Sequence, residues 1–221
     1  MPNEASATAS PESVLVCFAL KEEAAPFRKT AAGKSGVSLL ITGIGRGNSR
    51  RSLVNQFTQS TPHLVFTCGF AGGLDPVLKI GDVIFEPHDA SSREKLLRVG
   101  AKPGKFFCAD RIASTAAEKK KLRVDTGADA VEMESAEIHV VCRERGIPCV
   151  TVRVISDTAH DDMPLDFNQL SKPDMSLDYG KLAWAVAKSP GKIGALLKLQ
   201  KATSFAAQKL ADVLHAVFQT F

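Results

Sequence analysis

The stretch that most constrains the fold is Ile147 to Ile155, IPCVTVRVI, which runs almost without a polar break. Such a run reads as a strand covered on both faces, and a strand of that kind needs helices on either side of its sheet. Upstream, the segment from Val131 reads as a helix that stops at Gly146, with Glu134, Ile138, Val141 and Cys142 at i, i+4, i+7 and i+8. One carboxylate thus shares a stripe with apolar side chains, an expensive place for a charge. Ser156 and Asp157 follow where the strand ends. Ligands of open α/β sheets bind just outside the carboxyl ends of strands, so the acids at 134 and 157 can converge on one pocket.

The rest of the chain alternates in the same way. Val14–Leu20, Val37–Ile41, His63–Cys68, Lys79–Phe85 and Phe106–Asp110 read as strands, and KEEAAPFRK after the first of them reads as a helix. Glycine turns precede a helix in TGIGRGNSRRSLVNQF, while Gly69, Gly72 and Gly73 give a loop whose backbone can approach a ligand closely. Pro87 to Lys105 is polar and basic and reads as a loop; Thr115 to Glu118 has the spacing of a capping box. From Leu177 onward the spacing is helical, broken at Ser189-Pro190-Gly191, with Trp184 and Phe205 expected in the core or at a subunit interface. The expectation is an α/β protein: a disordered tail over residues 1–12 and a single domain over 13–221, a central mixed sheet flanked by helices.

Several functions fall away on composition. A net charge of +4 is too small for a nucleic-acid binder, and the run Lys119-Lys120-Lys121 reads as a solvated helix face. No apolar run reaches the about 20 residues that cross a bilayer, and the first residues lack the basic start and apolar core of a secretory signal. The five cysteines form no C-x-x-C pair and read as reduced core thiols, which together with the missing signal points to the cytoplasm. Gly43, Gly45 and Asn48 imitate a dinucleotide fingerprint, but the third glycine is missing and no acid follows about 20 residues on. A turn whose amides face an oxyanion remains, with Arg46 adding charge. His160, Asp161 and Asp162 lack the spacing of known metal sites, so neither metal nor cofactor is expected.

VEMES followed by VRVISD, together with KEE, TGIG and FAGGLDP in this order, resembles the purine nucleoside phosphorylase and nucleosidase superfamily, most closely the methylthioadenosine/S-adenosylhomocysteine nucleosidases, over roughly Val14 to Asp157. The resemblance implies a three-layer phosphorylase/hydrolase-like fold, a small-molecule nucleoside as partner, a homodimer or higher homo-oligomer, and cleavage of a purine N-glycosidic bond. It makes Asp157 the general acid oriented by Ser156, Glu23 the base for water, Glu134 the ligand of the ribose hydroxyls, and Met133 the packing beneath the sugar. Gly72, Gly73 and Phe70 would line the site. Glu132 is either an exposed first-turn acid or a sugar contact, and Arg153 should pair with an acid such as Glu134. The family's turn at Gly43, Gly45 and Arg46 touches phosphate in phosphorylases, so a phosphate-dependent phosphorylase is the alternative to a hydrolase. The chain departs from the family at two places: Phe70 replaces a small polar residue, and Ile112 falls where an aromatic ring stacks on the base. Those departures leave room for a catalytically silent nucleoside binder.

Overall fold

Residues Cys149–Asp157 are buried along their whole length and form a central strand of the sheet. The computed structural model describes residues 13–31, 36–172, 175 and 178–219, so the tail over 1–12 and Leu177 lie outside the described residues. In chain order the elements are β1 (Val14–Phe18), α1 (Lys21–Ala31), β2 (Val37–Ile41), α2 (Arg46–Gln59), β3 (Leu64–Gly73), β4 (Val83–Glu86), α3 (Ala90–Arg98), β5 (Lys102–Pro103), β6 (Phe106–Cys108) and α4 (Ala116–Thr126). They continue with β7 (Ala130–Glu132), α5 (Ser135–Glu144), β8 (Cys149–Asp157), α6 (Phe167–Leu170), α7 (Tyr179–Lys188), a 3-10 turn at Pro190–Lys192, and α8 (Ile193–Val217).

Among the described residues the eight strands form one mixed sheet in the order β2-β1-β3-β8-β4-β5, with β7 joining β3 and carrying β6. The β1, β2, β3 and β8 strands run parallel; β4 and β7 are antiparallel to their neighbours β8 and β3. Alternation in β1 decides the layers. Val14, Val16 and Phe18 pack with Phe27 of α1 and with Leu210 and Leu214 of α8 on one face. Leu15 and Cys17 pack with Leu53 and Phe57 of α2 and with Ile138 and Val141 of α5 on the other. Helices on both faces of a mixed sheet are the expected three-layer arrangement. Each fully buried leucine here is worth about 1.5–3 kcal/mol of transfer free energy.

The structure corrects the sequence reading at several points. The segment from Val131 to Glu144 is not one helix: β7 ends at Glu132 and α5 begins at Ser135, so Glu134 stands at the position just before the helix rather than inside it. Gly146 does end that helix, at φ 66°, with the amides of Gly146 and Ile147 on the carbonyls of Arg143 and Cys142 in the Schellman pattern. The glycines at 69, 72 and 73 lie within β3 rather than in a loop, because the strand continues between β8 and β7. Pro87–Lys105 holds α3 and β5: Asp89 accepts from the Ser92 amide and Ser92 answers with its hydroxyl, a capping box that starts a helix burying Leu96. Lys79–Asp82 is a turn rather than strand. Trp184 and Phe205 are not core residues; they are 63% and 50% exposed, Trp184 beneath the Lys188 ammonium and Phe205 against Gly81.

Candidate active site

Beyond the carboxyl ends of β1, β3 and β8 lies a cavity of about 180 Å³. Strand β8 reaches it through an irregularity. Ala71 pairs with Ile155 and Gly72 with Asp157, so Ser156 is the extra residue of a β-bulge, and Ser156 and Asp157 both line the cavity although they are neighbours in sequence. Ser156 Oγ donates to Asp157 Oδ1 at 2.6 Å.

Glu134 arrives from the turn between β7 and α5. A residue in its position usually caps the helix with its own side chain; here Glu132 does so instead, accepting from the amides of Glu134 at 2.9 Å and Ser135 at 2.7 Å and from Ser135 Oγ at 2.6 Å. That frees the Glu134 carboxylate to face the cavity, where Oε1 accepts from the Gly45 amide at 2.9 Å. Glu132 is fully buried and ion-paired with Arg153 Nη2 at 2.7 Å, so it is not an exposed first-turn acid. Arg153 also lies 3.5 Å from Glu134, which realises the expected pairing, and its Nε is buried without a partner among the described groups. Glu23, from the first turn of α1, accepts from the Leu20 and Phe70 amides, both at 2.9 Å. A Cβ on Gly69 would lie 2.8 Å from Arg153 Nη1 and 2.9 Å from Glu23 Oε1, so these glycines make room for side chains of the site rather than for a ligand directly.

Three carboxylates therefore share one guanidinium at one end of the cavity. Burial raises Glu134 to about 7; Arg153 and the Gly45 amide oppose this and Glu132 reinforces it. Burial also raises Glu23, against the Phe70 amide and Arg153. Glu132 ends below its ordinary value, because Arg153 and the Ser135 and Glu134 donors outweigh its burial. Arg153, despite burial, is held above its ordinary value by those acids.

Of the residues singled out in the sequence, Glu23, Phe70, Gly72, Ile112, Glu132, Met133, Glu134, Ser156 and Asp157 line this cavity. Gly73 does not line it: a Cβ there would meet the Asp157 carbonyl and Ile155. Gly45 and Arg46 line a neighbouring cavity of about 300 Å³ that shares Ile44 with the first, while Gly43 packs on Asn48 and lines neither. Arg46 is already engaged, donating to the Cys108 carbonyl and lying 3.2 Å from Asp110. The residue that the sequence misread is Lys119. It is entirely buried, with its Nζ 2.5 Å from Asp157 Oδ2, whereas its run suggested a solvated face. A signal was present: Thr115 accepts from the Glu118 amide and so is the N-cap, which puts Lys119 at the fourth helical position, the one that turns inward in a hydrophobic staple. Arg111, Ala113 and Met163 complete the wall.

This arrangement of acids can be set beside known proteins. A family profile described as "Phosphorylase superfamily" matches residues 88–184. That match covers less than half of the chain. Among proteins similar to this chain, a 5'-methylthioadenosine/S-adenosylhomocysteine nucleosidase of Marinomonas sp. (strain MWYL1) is 29% identical over 171 residues, 62% of this chain and 74% of the other. One of Anoxybacillus flavithermus is 24% identical over 209 residues, 71% of this chain and 90% of the other. The fold is that of the futalosine hydrolase of Helicobacter pylori strain 26695, with TM-score 0.71 at 18% identity over 95% and 98% of the two chains. It is equally that of the Campylobacter jejuni 5'-methylthioadenosine/S-adenosyl homocysteine nucleosidase, with TM-score 0.70 at 18% identity over 95% and 100%.

Proposed function

We propose that this chain is a phosphorylase-superfamily hydrolase that cleaves the N-glycosidic bond of a purine nucleoside, of the kind that carries a modified 5′ position such as 5'-methylthioadenosine or S-adenosylhomocysteine. The observation that carries the reading is that Glu134 and Asp157, 23 positions apart (157 − 134), open onto one cavity whose wall also includes Glu23. The names borne by the relatives support the substrate class.

In this reading a water molecule attacks the anomeric carbon while Glu23 takes its proton. Burial, which raises Glu23, suits it to that task. The carboxylate of Glu134 accepts the ribose hydroxyls through charge-assisted bonds, and Met133 packs beneath the sugar. Asp157, steadied by Ser156, hands a proton to a nitrogen of the five-membered ring as the base departs.

Water is favoured over phosphate by the occupation of the glycine turn. The Gly45 amide is already given to Glu134, and Arg46 is turned toward the Cys108 carbonyl and Asp110, which weakens the turn as an anion site. Release of free base from a panel of purine nucleosides, followed by mass spectrometry with and without inorganic phosphate, tests this. Phosphate-independent release is expected; strict dependence on phosphate would make the chain a phosphorylase. Binding of nucleosides with no turnover would make it a silent binder, the reading that Phe70 and Ile112 leave room for.

Single-domain organisation over 13–221, action in the cytoplasm and assembly as a homo-oligomer are part of the same proposal. Exposed Trp184, Leu197 and Phe205 and five buried free thiols support the last two. Among the described residues no helix is long and apolar enough to cross a membrane.

A further inference from the structure

We propose that Lys119 is the positioning residue through which Asp157 receives the proton it passes to the departing base, an inference that rests on the nucleosidase reading above. The Lys119 side chain has no exposed surface, and its ammonium spends its N–H donors on Asp157 Oδ2 at 2.5 Å, the Thr158 carbonyl at 2.8 Å and the Asp161 carbonyl at 2.9 Å. It stands behind Asp157 and does not line the cavity; a Cβ on Gly72 would fall 3.2 Å from Asp157 Oδ2 and 3.8 Å from Lys119 Cε. A buried ion pair is weak evidence for stability, because desolvating both charges costs about as much as their attraction returns. An apolar residue at this inward helical position would serve packing at least as well, so the charge has another use.

Asp157 is fixed from behind at both oxygens, by Ser156 Oγ on Oδ1 and by Lys119 Nζ on Oδ2. A carboxylate in an ion pair has no proton of its own to donate. The ammonium behind it has.

The step balances without a further reactant. The water oxygen forms a bond to the anomeric carbon, and the bond from that carbon to the base breaks, with its electron pair going to the base. The water's proton goes to Glu23. One proton moves from Lys119 Nζ to Asp157 as Asp157 delivers one to the ring nitrogen, leaving a neutral base, a carboxylate and a neutral amine. After release Glu23 loses its proton to solvent and Lys119 regains one.

The test compares Lys119→Met and Lys119→Arg with wild type, taking kcat and KM for base release between about pH 5.5 and 8.5. Asp161 and Asp162 from the segment after β8, Glu118 and its partner Arg111 on the helix side, and Glu132 and Arg153 across the cavity are common to all three proteins. Of these, Asp161 is held below its ordinary value in part by the Lys119 charge, which Lys119→Met removes and Lys119→Arg keeps, so the arginine variant separates loss of that charge from loss of the proton. With the ammonium gone, only an Asp157 that has taken a proton from solvent can act. The kcat of Lys119→Met should therefore lie within about tenfold of wild type at the acid end and fall roughly 100-fold below it at the alkaline end, with KM changed by less than about threefold. Lys119→Arg keeps the charge and gives up no proton, so its kcat should be low across the range. A Lys119→Met deficit that does not change with pH, or a Lys119→Arg enzyme with wild-type kcat, overturns the proposal. Either result suffices alone if thermal unfolding shows that the other variant does not fold. A wild type that releases no base from any nucleoside sinks the nucleosidase reading and this proposal with it, whereas an active wild type with pH-independent deficits sinks only the proposal.

Discussion

The two ends of the cavity handle charge in opposite ways. At one end Glu23, Glu132 and Glu134 crowd around the single guanidinium of Arg153; at the other, Asp157 is ion-paired with Lys119, whose ammonium also donates to the Thr158 and Asp161 carbonyls. In the first cluster burial raises Glu134 and Glu23 above their ordinary values, while for Glu132 burial is outweighed by Arg153 and the Ser135 and Glu134 donors, which hold it below its own. The second is a closed pair. An over-acidic cluster suits the side of a nucleoside on which positive charge develops, the sugar, while a pair that can give up a proton suits the side on which negative charge develops, the base.

The largest effect should come from opening the closed pair on its acid side. Asp157→Asn keeps the shape and removes the proton carrier, so kcat for base release should fall about 10³-fold; because it also leaves the buried Lys119 ammonium without its counter-charge, the thermal midpoint should fall too, and kcat is read below it. Unchanged turnover would show that the base leaves without help from this end. Next is Arg153→Met, which leaves three buried carboxylates, Glu23, Glu132 and Glu134, without a cation. It should lower the unfolding free energy by about 3–5 kcal/mol in urea titration, and a loss under 1 kcal/mol would mean that Glu132 and Glu134 do not depend on it.

Glu134→Gln probes the same cluster more gently. As an anion Glu134 holds hydroxyls best, so nucleoside affinity should weaken as pH falls below about 7 in wild type, a dependence the glutamine variant should lack, with KM raised roughly tenfold. The sign for stability is opposite. Raised from 4.5 to about 7, this carboxyl binds more proton in the folded than in the unfolded chain across that window, so its contribution to stability falls as pH rises through it. Calorimetric melts from pH 4.5 to 7 should be flatter for Glu134→Gln than for wild type.

How much of this was legible in the sequence follows from what each signal depends on. The apolar runs of β8 and β1 are local patterns that need cover on both faces, so they placed two strands of the sheet and called for helices on either side of it. VEMES was read as helix because Glu134, Ile138, Val141 and Cys142 do share a face; the last three lie in α5, but the stripe does not reveal that the helix starts only at Ser135. Helix α3 was missed because Asp89 and Ser92 form a capping box of two short polar residues, which resembles loop composition. Lys119 was misread since a lysine run is usually solvated and the partner that makes its burial tolerable, Asp157, is 38 positions away. Long-range pairing of charges is what composition and periodicity do not carry.

Two glycines of β3 give the finest division between the ends. Gly69 sits at φ 146° with the space for a Cβ taken by Arg153 Nη1 and Glu23 Oε1, at 2.8 and 2.9 Å. A methyl there meets both backbone strain and a fixed ion cluster, so Gly69→Ala should cost about 2–3 kcal/mol of stability. Gly72 has no such backbone demand, and its Cβ would come 3.2 Å from Asp157 Oδ2 and 3.3 Å from Val131 Cγ1, distances that a shift of a few tenths of an ångström relieves. Gly72→Ala should therefore cost under about 1 kcal/mol. What it should disturb is the seat of Asp157 against Lys119, lowering kcat by a few-fold with KM unchanged. If Gly72→Ala were instead the more destabilising of the two, the closed pair would be the rigid end of the cavity, and the contrast drawn between the two ends would be reversed.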